Sequence, residues 1–295
     1  MIVYSLLLIT ILIALWCIYR FWKIAESGGN DTWHRILIVL FTSIFIYLYG
    51  AWVFLSVYAK YVFGICLLAI IVTRIFRKRK VLPYSHKKKF FNLLFTVLLG
   101  ALIISYYTGT TGKPETVNLS FPFKHGQYMV FQGGKGLPTN LFHYGYRGAI
   151  YAMDIIKLNS FGNRANKIFS HDPNGYTTFG DTIYSPCNGI VVRTIDTNPD
   201  NTPPNRVKGP GHANQILIDA GTFYVFLAHI KQRNVFVHKG DTVHVGQPLG
   251  CAGNSGFTIE PHLHIQAHIN THAGIPWYRE KPLFIKFDGR EYLLF

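Results

Sequence analysis

Apolar residues fall in long unbroken blocks before Thr108 and in short runs after it. Residues 2–18 and 90–107 contain no charged side chain, and each approaches the ~20 residues that a helix needs to cross a hydrocarbon core. Residues 36–73 carry one charge, Lys60. At 1.5 Å rise per residue that stretch is roughly twice a bilayer, which predicts two helices joined by a tight turn near Ser56 to Lys60. The chain is thus expected to begin with about four transmembrane helices, near 2–19, 36–55, 58–76 and 90–107, forming an anchor over 1–107. The first block lacks a basic n-region and a small-residue cleavage site before Arg20, so it reads as a retained helix and not a cleaved signal.

Beyond Thr108 the pattern changes. Residues 108–120 begin rich in Thr and Gly and read as a linker. Short β-rich runs follow at Tyr128–Phe131, Ile190–Val192, Gln215–Ile218, Phe223–Leu227 and His262–Ile269, separated by Gly, Pro, Asn and Asp. No long helical period interrupts them, so 121–295 is expected to be one all-β domain. Asn198 to Gly211, with four prolines, reads as a long loop of the kind that is often functional.

Charge sets the orientation. The chain has a net charge of +15 and is 49% hydrophobic, with a mean hydropathy of +0.19. Residues 1–107 hold 12 of the 29 Lys and Arg but 2 of the 14 acids, so most of the excess belongs to the anchor. Arg77 to Lys80 and Lys87 to Lys89 form a basic block between the third and fourth spans, and such loops stay cytoplasmic. Nucleic-acid binding is the competing reading of a basic cluster, and its place between two spans favours topology. Arg20, Lys23 and Arg35 in the first loop agree. Four crossings then put the all-β domain outside the cytoplasmic membrane. Lys60 is the one candidate intramembrane charge, and that scarcity argues against a transporter. Cys187 and Cys251 in the outer domain leave a disulfide and two thiols both open. Nothing in the sequence indicates the oligomeric state.

The candidate chemistry sits in Pro261-His262-Leu263-His264-Ile265. Side chains two apart on a strand share a face, so His262 and His264 converge on one spot. Such a pair suits a zinc site, and taken alone it equally suits a polar strand face. Upstream partners change the balance: His143 and Asp154 bracket one segment, and His229 follows the apolar run Phe223 to Ala228. Six blocks in order, Gly133-Gly134 ahead of His143 and Asp154, Ser185 to Val191, Leu227-Ala228-His229, Gly240 to Gly250, Gly253-Asn254-Ser255-Gly256 and Pro261 to His264, resemble the lysostaphin-like zinc metallopeptidases. These are bacterial endopeptidases that cut the peptide part of peptidoglycan.

The resemblance spans about Gln132 to His268 and implies a lysostaphin-like β fold with one Zn2+ held by His143, Asp154 and His264. It implies catalytic roles for His262, as general base, and His229, at the oxyanion or sharing the proton transfer. Three N/O ligands leave the fourth tetrahedral position open, the arrangement of a catalytic site. Ten residues separate His143 from Asp154, where many relatives have three. At the shorter spacing Ile150 would be the ligand, which an alkyl chain cannot be. His125, His171, His212, His238, His244, His268 and His272 match no ligand position. The expected protein is a membrane-anchored zinc endopeptidase acting on peptidoglycan. A noncatalytic module recruiting another wall enzyme is the alternative, and a lipoyl-type carrier lacks its modifiable Lys.

The topology is testable on intact cells. Single cysteines introduced at Ser85 and Ser120, in a background without native thiols, should label differently with an impermeant maleimide: Ser120→Cys reacts and Ser85→Cys does not. The reverse pattern would place the β domain in the cytoplasm.

Overall fold

A computed structural model describes residues 2–24, 27–28, 32–74, 80–81, 86–207 and 211–293. The chain divides into two compact units, Met1–Tyr107 with Phe161–Asn163, and Thr108–Ser160 with Arg164–Phe295.

The first unit is built on four helices, α1 (Ile2–Ile24), α2 (Thr32–Tyr49), α3 (Val57–Arg74) and α4 (His86–Thr108). Ala14, Cys17, Val39, Ile46, Phe63 and Leu67 pack its interior. Two short segments, β1 (Ser27–Gly28) and β2 (Lys80–Val81), pair in parallel, which brings the α1–α2 and α3–α4 connections to one end. The expected turn near Ser56 to Lys60 lies earlier. The Trp52 indole N–H donates to the Ile46 carbonyl at 2.8 Å, and a Cβ at Gly50 would lie 2.4 Å from that same oxygen. The chain leaves the helix there, and Lys60 falls in the first turn of α3, with its ammonium 4.7 Å from the Tyr47 ring centroid.

Two helices, and not about four, are long and apolar enough to cross a membrane: Ile2–Lys23 and His86–Thr108. The other two apolar stretches, Trp33–Tyr49 and Val57–Thr73, are shorter; 18-residue helices reach about 27 Å, short of a core of about 30 Å. Arg77, Lys78 and Arg79 of the basic block, and residues 75–76 of the expected third span, lie outside the described residues.

The second unit is a β structure. Among the described residues its main sheet has nine strands, running β11 (Thr242–Val243), β7 (Gly189–Ile195), β8 (Gln215–Asp219), β9 (Phe223–Ala228), β13 (Leu263–Ile269), β14 (Pro282–Phe287), β3 (Thr116–Leu119). A branch adds β5 (Met153–Leu158) and β4 (Gln127–Gln132), because β13 gives the start of one edge to β5 and the end of it to β14. A smaller sheet holds β10 (Ile230–Val235), β12 (Pro248–Ala252) and β6 (Thr182–Tyr184). Each of the five expected strand runs lies within a strand or adjoins one. Part of the expected linker, Thr116–Leu119, is instead an edge strand pairing in parallel with β14, since Val117 and Leu119 alternate into the core.

The period of two places the core. Met153 and Ile155 of β5, Ile216 and Ile218 of β8, Val225 and Leu227 of β9, and Leu263, Ile265 and Ala267 of β13 are buried together. The residues between them point to the opposite face. Cys187 and Cys251 are free thiols, which closes the disulfide alternative; burial pushes the Cys187 thiol up to about 12.

Candidate metal centre and cleft

The noncore face of β13 carries His264, Gln266 and His268, with His262 just ahead of the strand. Antiparallel register sets His264 opposite Asp154 of β5 on one side and Ala228 of β9 on the other. Asp154 Oδ1 lies 3.0 Å from His264 Nδ1, 3.4 Å from His143 Nε2 and 3.4 Å from His262 Nε2.

His143 arrives from outside the sheet. It lies on a single helical turn, α5 (Leu141–Tyr144), and the ten residues before Asp154 fold back through successive tight turns: Tyr146 N–H to His143 O, Ala149 N–H to Tyr146 O, Ala152 N–H to Ala149 O. Asn140, fully buried, holds the assembly. Its amide nitrogen donates to the carbonyls of Ile150 and Ala152, each at 3.0 Å, so its oxygen faces His143 and accepts from Nδ1 at 2.8 Å. That leaves His143 Nε2 as the free lone pair toward Asp154. The longer spacing is thus accommodated by a folded loop, and Asn140, which no motif pointed to, ties the histidine to the start of β5.

His143, Asp154 and His264 offer ligand atoms that all lie within 4.8 Å of one another. Two imidazole nitrogens and one carboxylate oxygen, with side chains 10–12% exposed, fit a borderline divalent ion with an open fourth position. Burial works against the Asp154 carboxylate, but the imidazoles of His143 and His262 outweigh it and hold the group well below the usual carboxylate range. The anion a metal needs is therefore preformed.

His229 and His262 stand beside this cluster, 4.7 Å apart between ring centroids. Both donate Nδ1–H to a backbone carbonyl, His229 to Ser255 at 2.7 Å and His262 to Glu260 at 2.8 Å. Neutral rings in this tautomer present an unprotonated Nε2. Burial, then the neighbouring imidazoles of His262 and His264, hold His229 well below its ordinary range. Burial also opposes charge on His262, but the Asp154 carboxylate reverses the balance and raises it. His229 sits at φ 64°, the left-handed region that a β-carbon makes costly. This one-residue kink between β9 and β10 aims its ring into the cleft. Glu260, whose carbonyl holds His262, is clamped by Arg164 through Nε–Oε1 at 3.1 Å and Nη2–Oε2 at 2.9 Å, with both side chains almost wholly buried.

Along β13 a hydrogen-bonded file orients His264. His264 Nε2–H donates to Gln266 Oε1 at 3.0 Å. The Gln266 amide donates to His268 Nε2 at 3.2 Å, and His268 Nδ1–H ends the file on the Glu280 carbonyl at 3.0 Å. Burial lowers His268, so it stays neutral and accepts. The file selects the His264 tautomer whose Nδ1 faces Asp154. His268, which matches no ligand position in the sequence, has both ring nitrogens hydrogen-bonded, and it reaches the site through Gln266 from four residues beyond His264.

The cleft over these groups has a volume of about 550 Å³ and opens between His143, Tyr146, Phe226, His229, Phe257 and His264. Phe226 stacks on Trp277 at 4.6 Å, giving one wall a rigid aromatic surface. The long loop contributes here, since Gly211 borders the cleft and Asn201 is pinned to Gly256 O at 2.6 Å; residues 208–210 lie outside the described residues.

Loss of an outer hydrogen bond to a ligand histidine typically costs 10–100-fold in metal affinity. Gln266→Leu should therefore weaken zinc binding by about that factor in a competitive chelator titration, while Gln266→Glu, which still accepts from Nε2–H, stays closer to the parent. Equal affinity in the Leu variant would show that the file does not orient His264.

A family model, Peptidase family M23, matches residues 175–276, about a third of the chain. A search of curated proteins found no match. Among solved structures, the chain is similar to a zinc-containing peptidase from Vibrio cholerae at 17% identity, covering 58% of this chain and 39% of that one with a TM-score of 0.32. Lysostaphin from Staphylococcus simulans, an antimicrobial peptidase, matches at 20% identity over 50% of this chain and 46% of its own, TM-score 0.29. The catalytic domain of a prophage-encoded M23 protein from Enterococcus faecalis matches at 15% over 55% and 92%, TM-score 0.34. The chain spans less than half of the first two. Following a region of apolar helices, residues 175–276 form a peptidase domain of family M23, the lysostaphin-like family.

Proposed function

We propose that the protein is a membrane-anchored zinc metalloendopeptidase that hydrolyses peptide bonds in peptidoglycan stem peptides or cross-bridges. The observation that carries this reading is the convergence of His143, Asp154 and His264 beside His229 and His262 in an open cleft of an M23 domain. Those five residues are complete; a noncatalytic module would have no need of the last two.

His143 Nε2, His264 Nδ1 and the Asp154 carboxylate would hold zinc, which when bound supplies an acidified water and a Lewis acid for the scissile carbonyl. His262 Nε2 takes the water proton and returns it to the leaving amine, a role that its raised basicity suits. His229, kept neutral by burial, shares the proton transfer through its own Nε2; donation to an oxyanion would require it to be charged. Aromatic Phe226 and Phe257 line the groove for the substrate chain.

Membrane anchoring by α1 and α4 is supported by how these helices present themselves. Only 22% and 11% of their apolar windows are buried, whereas the core helix of a water-soluble domain hides most of its surface. An even number of crossings leaves the M23 domain on the side opposite the basic connections, outside the cytoplasmic membrane. Alkaline extraction of membranes should leave the chain in the pellet.

Metal analysis separates the two adjacent histidines. His264→Ala should lose zinc, and His262→Ala should keep nearly one equivalent while hydrolysis falls about 10²–10⁴-fold. Zinc loss in His262→Ala alone would invert the assignment.

The reaction itself predicts new free amino groups, and no new reducing ends, when full-length protein in membranes meets peptidoglycan, because activated water attacks a carbonyl and not a glycosidic carbon. Chelation should stop the release and zinc restore it. Absence of cleavage across wall types, together with normal zinc content, would favour the binding-module alternative.

A further inference from the structure

The connection between β12 and β13 carries more than the backbone acceptors of the two histidines. Ser255 O takes the Nδ1–H of His229, Thr258 Oγ1 lies 3.2 Å from His262 Nδ1, and between them Phe257 lines the cleft. Two residues of chain span at most about 7.6 Å, so Phe257 is tied closely to the anchor of His229. Against its ring rests Arg206, with the guanidinium carbon 4.6 Å from the ring centroid.

The backbone fixes this arginine in place. Val207 N–H donates to Gly256 O at 3.0 Å, and Asn201 N–H donates to Asn254 O at 3.0 Å. The Asn201 amide also donates to Gly256 O at 2.6 Å, so the segment 201–207 is laced to 254–256 at both of its ends. A ring face attracts a cation but offers no lone pair, and the N–H donors of the guanidinium fork are left for another acceptor. Among the described residues Arg206 pairs with no carboxylate. Asp200, earlier in the same loop, accepts from the backbone N–H groups of Gln232 and Asn254. Residues 208–210, which follow Arg206, are Lys, Gly and Pro and hold no acid. The described cleft lining has no Asp, Glu, Lys or Arg, so Arg206 adds a permanent positive charge at its Phe257 wall.

We propose that Arg206 is a specificity-determining residue that binds a free carboxylate of the peptide substrate, a few residues from the scissile bond. The inference rests on the endopeptidase reading above and narrows it: the preferred substrate is an acidic wall peptide and not an uncharged glycine bridge. A carboxylate matches the guanidinium fork through two parallel N–H···O bonds. An extended peptide rises about 3.3 Å per residue, and the cleft that holds His143 and His264 also holds Phe257, so one short peptide reaches both.

Three synthetic peptides test it: a stem peptide with a C-terminal and a side-chain carboxylate, and two versions in which one or the other is a primary amide. With zinc-loaded full-length protein, one amide should be cut with a kcat/KM about tenfold lower, the size of one charge-assisted hydrogen bond. That amide identifies which carboxylate Arg206 binds. Arg206→Gln should bring the acidic peptide down to the level of that amide, and Arg206→Lys should retain part of the difference. Lys239→Gln, exposed and outside the cleft lining, should retain all of it. Equal cleavage of the three peptides by the parent, or a preference that survives in Arg206→Gln whatever its absolute rate, would overturn the assignment. Calorimetric titration of His262→Ala with the same peptides reads affinity without turnover. Binding with the carboxylate preference but no hydrolysis by the parent would keep the site and sink the endopeptidase reading. Hydrolysis without the preference would do the reverse, and neither binding nor hydrolysis would remove both.

Discussion

The antiparallel register between β13 and β5 is the constraint on which the site depends. It sets His264 opposite Asp154, and because side chains alternate, a slip of one residue would send both histidines into the core and Leu263 and Ile265 into the cleft. The core prevents this. Leu263, Ile265, Met153 and Ile155 are fully buried, and each such side chain contributes about 1.5–3 kcal/mol relative to exposure. A shifted register would forfeit several of these terms and bury imidazoles without partners. The same hydrophobic alternation that makes the sheet therefore makes the metal geometry.

Polar order is then layered onto that frame at almost no conformational freedom. Asn140 is satisfied on both ends, Gln266 connects His264 to His268, and Arg164 neutralises Glu260 in the interior. A buried pair of the last kind is weak evidence for net stability, since the desolvation of both ions is large. Its value here is geometric: with the Glu260 side chain clamped, its carbonyl stays where His262 Nδ1–H needs an acceptor. The left-handed backbone at His229 is the local cost of the arrangement, and it falls at a residue that faces the cleft, as stored strain tends to.

The helical unit obeys a different physics. Its helices are apolar almost all round, and cations lie at the end where the connections pair. Such a unit depends on its surroundings for the outer half of its solvation.

Composition and periodicity were enough to separate the apolar helices from the β half and to find the five strand runs, because those signals are local: unbroken hydrophobic runs and a period of two; spacing marked His262 and His264 as a pair, and the resemblance of six ordered blocks to the lysostaphin-like peptidases singled out His143, Asp154 and His229 with them. Helix ends were not legible in the same way. Gly50 and the Trp52 indole stop α2 before the hydrophobic run ends, so two helices fall short of a bilayer. Part of the expected linker became strand β3 because its partner, β14, lies more than 160 residues away in the sequence. Asn140, Gln266 with His268, and the Arg164–Glu260 clamp carry no motif; each acts through a hydrogen bond to a carbonyl or side chain placed by folding. The residue types needed for zinc chemistry are written in the chain, but which ring nitrogen faces Asp154, and which proton each histidine keeps, follow from long-range contacts that only the tertiary structure brings together.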